Sequence, residues 1–167
     1  MHTKKNLAVA FLLISFISST AIASEPVVVK GFSMEMTRSE TKSKFEEICT
    51  GQLGRRDDIP AKEYRGMTLL TCDKPETSAI VSEKNLQVVI LSCGVLNSCS
   101  LSLRQWGRFI VDNMPVSELN SGVFSKGGSR LDVVEGKSQA GEWITAFEDG
   151  DLMIQRGTYG SSGPSLN

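Results

Sequence analysis

The chain has 167 residues, with 18 Lys and Arg against 19 Asp and Glu, four cysteines and one histidine. A near-neutral balance without any long basic block excludes the electrostatic footprint of a nucleic-acid or anionic-membrane binder. The single histidine is His2, inside the N-terminal leader described next, so the rest of the chain has no imidazole-based triad and no His-ligated zinc or copper site.

The N-terminus reads as a cleavable signal peptide spanning 1–23. Lys4 and Lys5 give a cationic start, Leu7–Ile14 an apolar run, and Ala21-Ile22-Ala23 a small-x-small site with cleavage before Ser24. Ser15, Ser18, Ser19 and Thr20 dilute the run below the ~20 apolar residues of a spanning helix. No cysteine sits at the cleavage site, and nothing later is apolar enough to span a bilayer. Of 167 residues, 144 remain after 23 are removed. Losing Lys4 and Lys5 leaves 16 basic against 19 acidic residues, a net charge of −3. That length makes one domain, expected over 24–157. An even set of cysteines in an exported chain, Cys49, Cys72, Cys93 and Cys99, implies two disulfides with three pairings open. Adjacency favours Cys93–Cys99, closing a short loop, and Cys49–Cys72, tying a helix end to a strand. A four-cysteine zinc site is the rival, but it lacks a C-x-x-C pair.

Along the domain, Val27-Val28-Val29 predicts a short lead-in strand. Thr37-Arg38-Ser39-Glu40 has the capping-box pattern, and Thr41, Phe45, Ile48 and Cys49 recur on one helix face before Gly51 ends it. Gln52–Arg65 reads as an exposed polar loop. Three strands follow at about Met67–Cys72, Ser78–Ser82 and Leu86–Cys93, with turns at Asp73-Lys74-Pro75 and Lys84-Asn85. Ser100 or Ser102 opens a second helix whose apolar face is Leu103, Trp106, Phe109, Ile110 and Met114, and Pro115 ends it. Val116–Gly128 reads as a Ser/Gly loop. Strands are expected at Leu131–Glu135, Glu142–Phe147 and Leu152–Gln155, with Asp149-Gly150 as a hairpin turn. Residues 158–167 are Gly/Ser-rich and expected to form a flexible tail.

The order is helix–strand–strand–strand, twice, at offsets of about 64–65 residues, giving pseudo-repeats over about 31–93 and 100–157. The expected class is α+β: an antiparallel sheet of about six strands with two helices on one face. Gly31-Phe32-Ser33-Met34-Glu35-Met36, followed by the capped helix from Thr37, resembles the opening of the β-lactamase-inhibitor-protein and SmpA/OmlA helix-plus-sheet repeat. The resemblance covers about a dozen residues plus the element order. The chain departs from that pattern in lacking a second glycine before Met36 and a lipidation cysteine. It implies protein binding through a sheet face rather than catalysis.

Several constellations carry candidate chemistry. Ser39-Glu40-Thr41-Lys42 matches S-x-x-K, the nucleophile motif of penicillin-binding proteins, but S-D-N and K-T-G are absent and a polar helix face explains it. Glu148-Asp149-Gly150-Asp151 gathers three carboxylates, yet lacks the closing glutamate of a calcium loop, so a charged hairpin tip is favoured. Glu46 and Glu47 point apart on their helix. Candidate partner-binding residues are the charged loop Arg55, Arg56, Asp57 and Asp58, with Tyr64 as an aromatic anchor. The strand row Trp143, Thr145 and Phe147 joins them if helices leave that face open, with core packing as the favoured alternative. The expected function is that of a small exported binding protein, periplasmic or secreted. It would be an inhibitor or immunity factor whose partner is another protein, without cofactor or metal. The alternatives are a histidine-free envelope enzyme using carboxylates or a Ser–Lys pair, and a structural envelope protein.

Overall fold

The structure, a computed structural model, describes residues 25–126 and 128–157. The expected signal peptide and C-terminal tail lie outside the described residues. Elements run in the order β1 (Val28–Val29), β2 (Phe32–Ser33), α1 (Arg38–Ile48), β3 (Leu53–Arg56), a 3-10 turn at Lys62–Tyr64, β4 (Thr68–Asp73), β5 (Glu76–Val81) and β6 (Leu86–Leu91). They continue with α2 (Cys93–Leu96), α3 (Leu103–Asn113), β7 (Val116–Lys126), β8 (Ser129–Ser138), β9 (Trp143–Phe147) and β10 (Leu152–Gln155). The class is α+β, as the patterning implies.

Both long helices start where side-chain chemistry satisfies their orphan amides. The Glu40 N–H donates to Thr37 Oγ1 (3.4 Å), and the Thr37 N–H donates to Glu40 Oε2 (2.8 Å). The same reciprocal pair forms between Ser102 and Gln105, at 3.4 and 2.9 Å. Each such cap stabilises a helix by about 1 kcal/mol.

The main sheet is antiparallel and eight-stranded, in the order β3-β4-β5-β6-β10-β9-β8-β7. Each long helix precedes a four-stranded meander, β3–β6 after α1 and β7–β10 after α3. The last strands of the two meanders pair at the centre, with Leu152 opposite Leu91 and Ile154 opposite Val89. Burial follows that placement. Central β10 is buried at all four positions, whereas β4 alternates, with Thr68, Leu70 and Cys72 inward.

One sheet face packs under Phe45 of α1, Trp106 and Ile110 of α3, and Phe32 and Met34 of the N-terminal hairpin, against Leu70, Val89, Leu91, Ile144, Leu152 and Ile154. The N-terminal segment is pinned there by a buried carboxylate: the Val27 N–H (2.9 Å) and Ser138 Oγ (3.0 Å) both donate to Glu142 Oε2. A bulge between Ile80 and Val81 in the β5–β6 pairing keeps Leu86 on this face with Val89 and Leu91.

The disulfides are Cys49–Cys72 and Cys93–Cys99, the bonding of an oxidising compartment. The first fastens the end of α1 to β4. The second closes a small loop against the β9–β10 turn, where Ser98 Oγ donates to the Gly150 carbonyl (2.8 Å) and the Cys93 N–H to Asp151 Oδ1 (2.9 Å).

Four expectations are corrected. The main sheet has eight strands rather than six, with a separate two-stranded β1–β2 hairpin. Val116–Gly128 is not a loop: β7 runs for 11 residues through Val116–Lys126, paired along its length to β8. Gln52–Arg65 contains β3 and a 3-10 turn, so each unit is a helix with four strands. Cys93 begins α2 instead of ending β6. Both missed strands of the main sheet are its edges, where one missing neighbour weakens the burial that creates a sequence pattern.

Candidate binding surfaces

The charged loop is built on edge strand β3, and its charges answer one another. Arg55 Nε donates to both oxygens of Asp57 (3.2 and 3.1 Å), and Arg56 Nε to Asp58 Oδ1 (3.0 Å). The Thr68 hydroxyl donates to Asp57 (2.6 Å); that bond, then the one from Arg55, holds the Asp57 carboxyl below its ordinary range. Arg56 does the same for Asp58. Tyr64 is not a projecting anchor. It is buried with Ile80, Val88 and Met153 on the sheet face opposite the helices, and burial pushes its phenol upward.

That opposite face is covered as well, which decides the Trp143 row. Phe147 packs edge-on against Phe124 of β7 at 5.2 Å between centroids, and both Thr145 and Phe147 are buried. Only Trp143 is partly exposed, with Lys137 Nζ 5.8 Å from its ring centroid. The row is therefore not an open aromatic strip. The chain covers it by folding the Tyr64 segment back and curling the β7–β8 hairpin over it.

The remaining motifs have structural partners. Lys42 of the S-x-x-K stretch pairs with Glu46 (3.4 Å), and neighbouring Arg38 with Glu83 (2.6 Å). Asp149 Oδ1 accepts from the Asp151 N–H (3.2 Å), and Glu148 Oε1 from the Asp132 N–H (3.2 Å), so the acidic turn caps backbone donors. Asp73, Glu76, Asp149 and Asp151 line a concavity of about 860 Å³ at one end of the sheet. Asp73 there accepts from the Gln52 N–H (2.5 Å). Cys49, Cys72 and Asp73 lie within 4.8 Å, but the two sulfurs are bonded to each other and offer no thiolate.

The two ends of the sheet differ more than the sequence suggests. At the β3 end, α1 and the edge strand enclose a groove of about 190 Å³ lined by Arg38, Lys42, Arg55, Thr68, Leu70 and Glu83. At the β7 end, α3 and the edge strand enclose about 550 Å³ lined by Leu103, Gly107, Val111, Leu119 and Val134, with Arg104 and Arg108 at the rim. The positions correspond at an offset of 64–65 residues: Leu103 stands where Arg38 does, Gly107 where Lys42 does, Val134 where Leu70 does. One groove is filled by paired charges; its counterpart is open and apolar. Val111 and Val123 are 56% and 53% exposed, and Leu119 is 39% exposed. Among the described residues β7 has no neighbour on its outer side.

Sequence reasoning missed this groove because β7 read as a loop. Two signals pointed to it: Val111 lies off the apolar stripe of α3, and Gly107 sits in the middle of an otherwise well-formed amphipathic helix. No described helix is long and apolar enough to cross a membrane. Comparison with known proteins returns no matching family model, no similar curated protein and no similar solved structure, so the reading of these surfaces rests on the residues themselves.

Proposed function

We propose that the protein is an exported binding protein, periplasmic or secreted, that acts on another protein of the envelope as an inhibitor or immunity factor. The observation that carries this reading is the β7 edge. Leu119, Val123 and Val111 are exposed beside a strand that has no outer neighbour among the described residues, in a fold that otherwise covers both faces of its sheet. Two disulfides support export. The two helix-plus-four-strand units, each opened by a reciprocal cap, support descent from a tandem duplication. They also support the likeness to the β-lactamase-inhibitor-protein plan, as part of the same proposal. Duplication accounts for the second edge, and the two copies now differ, one groove charged and the other apolar.

The test is affinity capture of the tagged protein from envelope extract under non-reducing conditions, read by mass spectrometry and followed by reconstitution with the purified candidate. A single partner at near-stoichiometric yield, reproduced with purified components, is the expected result. Failure to recover any partner that survives reconstitution would remove the reading.

A further inference from the structure

Resting on that reading, we infer that the partner presents an extended, β-forming segment with acidic side chains, which adds to the outer edge of β7 and lays its apolar residues into the α3–β7 groove.

Three observations converge. The first is backbone geometry: an 11-residue edge strand offers a row of peptide donors and acceptors that an extended chain can satisfy. The second is the groove floor. Gly107 is buried in the middle of α3, where glycine is less favourable than alanine. A Cβ there would lie 3.4 Å from Leu119 Cδ2 and 3.8 Å from Val134 Cγ1, in ordinary contact. The space there admits a methyl group, and the glycine gives a shallower helix wall above β7, with Leu103, Val111 and Leu119 around it.

The third is charge. In the α1–β3 groove each lining cation has an internal acid: Arg38 with Glu83, Lys42 with Glu46, Arg55 with Asp57. Arg104 and Arg108 form no ion pair among the described residues; Asp112, one turn beyond Arg108, is the groove's one acidic lining residue, so the lining keeps a net positive charge. Residues 1–24, 127 and 158–167 contain neither Asp nor Glu side chains. The two exposed guanidinium groups are thus available to carboxylates of another molecule. Side chains alternate along a strand, so an added segment would direct every second residue toward the helix side. Apolar residues would then meet Val111 and Leu119, with an acid at one end of the segment meeting the two arginines, which stand one helical turn apart.

The probe is a capped peptide, Glu-Thr-Val-Thr-Val-Thr-Glu, whose glutamates and valines share one face. Its controls are the same peptide with both glutamates replaced by lysine, and one N-methylated at alternate residues to block edge pairing. Affinity is measured by titration calorimetry, and location by hydrogen exchange of the intact protein. We expect the acidic peptide to slow exchange in residues 117–123, to bind about tenfold more tightly than the lysine peptide, and to lose binding on N-methylation. G107K, which places in α3 the residue found at the matching position of α1, abolishes binding, and the surface change R104E/R108E weakens it about tenfold. Equal affinity for acidic and lysine peptides, or protection away from β7, would overturn the inference. So would β7 protection that rises with protein concentration without peptide, which would assign the edge to a second copy. If a reconstituted partner binds but leaves β7 exchange and G107K affinity unchanged, this inference fails and the binding reading stands; if no partner is recovered, that reading fails on its own.

Discussion

Gly107→Ala separates a glycine required by the fold from one that shapes a surface. In a helix interior alanine is favoured over glycine by about 0.8–1.0 kcal/mol. Against that stands the space the methyl would occupy, 3.4 Å from Leu119 Cδ2 and 3.8 Å from Val134 Cγ1. Neither distance forces a clash, and Leu119 is partly exposed and free to yield. The methyl also adds a few dispersion contacts at ~0.1–0.2 kcal/mol each. The net expectation is a gain of about 0.5–1 kcal/mol, or roughly 2–4 °C in Tm for a chain of this size. Equilibrium urea unfolding with both disulfides intact measures it, as a higher midpoint at unchanged m-value. A loss of about 0.5 kcal/mol or more would show that α3 needs glycine to approach β7 and β8. The groove floor would then be a packing necessity, and the argument for a surface left open there would fall.

Replacing the Cys49–Cys72 pair by serines should lower stability by about 3 kcal/mol, and the Cys93–Cys99 pair by about 2, since their separations are 23 and 6 residues. Denaturant titration of each double variant checks the order as well as the size. Gly150→Ala should destabilise by about 2–4 kcal/mol. Gly150 holds φ +88°, and a Cβ there would lie 2.8 Å from the Ser98 carbonyl oxygen and 2.9 Å from Cys93 Cβ, so stability close to wild type would refute this packing. Glu142→Ala should cost about 2–3 kcal/mol by stranding the buried Val27 N–H, whereas Glu142→Gln keeps an acceptor and should cost less; hydrogen exchange at Val27 reports the difference directly. Thr68→Val should raise the Asp57 pKa, seen by NMR titration of its carboxyl carbon, because the Thr68 hydroxyl is the main cause of its depression. A depressed carboxylate contributes stability above its unfolded pKa and loses it as pH falls through the folded value, so ordering of the Arg55–Asp58 segment should weaken only in acid, below the ordinary aspartate range.

What the sequence revealed follows from where burial imposes a pattern. Thr37/Glu40 and Ser102/Gln105 announce the helices because capping is a local interaction. The inner strands show their apolar runs because β4, β5, β6, β8, β9 and β10 each have neighbours on both sides. The edges β3 and β7 fail the same test: Gly54, Arg55 and Arg56, or Glu118, Asn120 and Ser121, are placed in strands by pairing with β4 and β8 rather than by propensity. For the Trp143 row core packing is the favoured reading, but what covers it is not legible. Alternation shows that Trp143, Thr145 and Phe147 share a face, but not that Tyr64 and Phe124, distant in sequence, would return to cover it. The candidate groove lay in the part least legible, since an open edge next to a helix glycine carries little periodicity of its own.

The most direct test compares the affinity of a reconstituted partner for wild-type protein, G107K and K42A, which alter corresponding positions of the two grooves. The account predicts that G107K weakens binding at least about tenfold while K42A leaves it unchanged. Equal affinity across all three, or a loss confined to K42A, would contradict it.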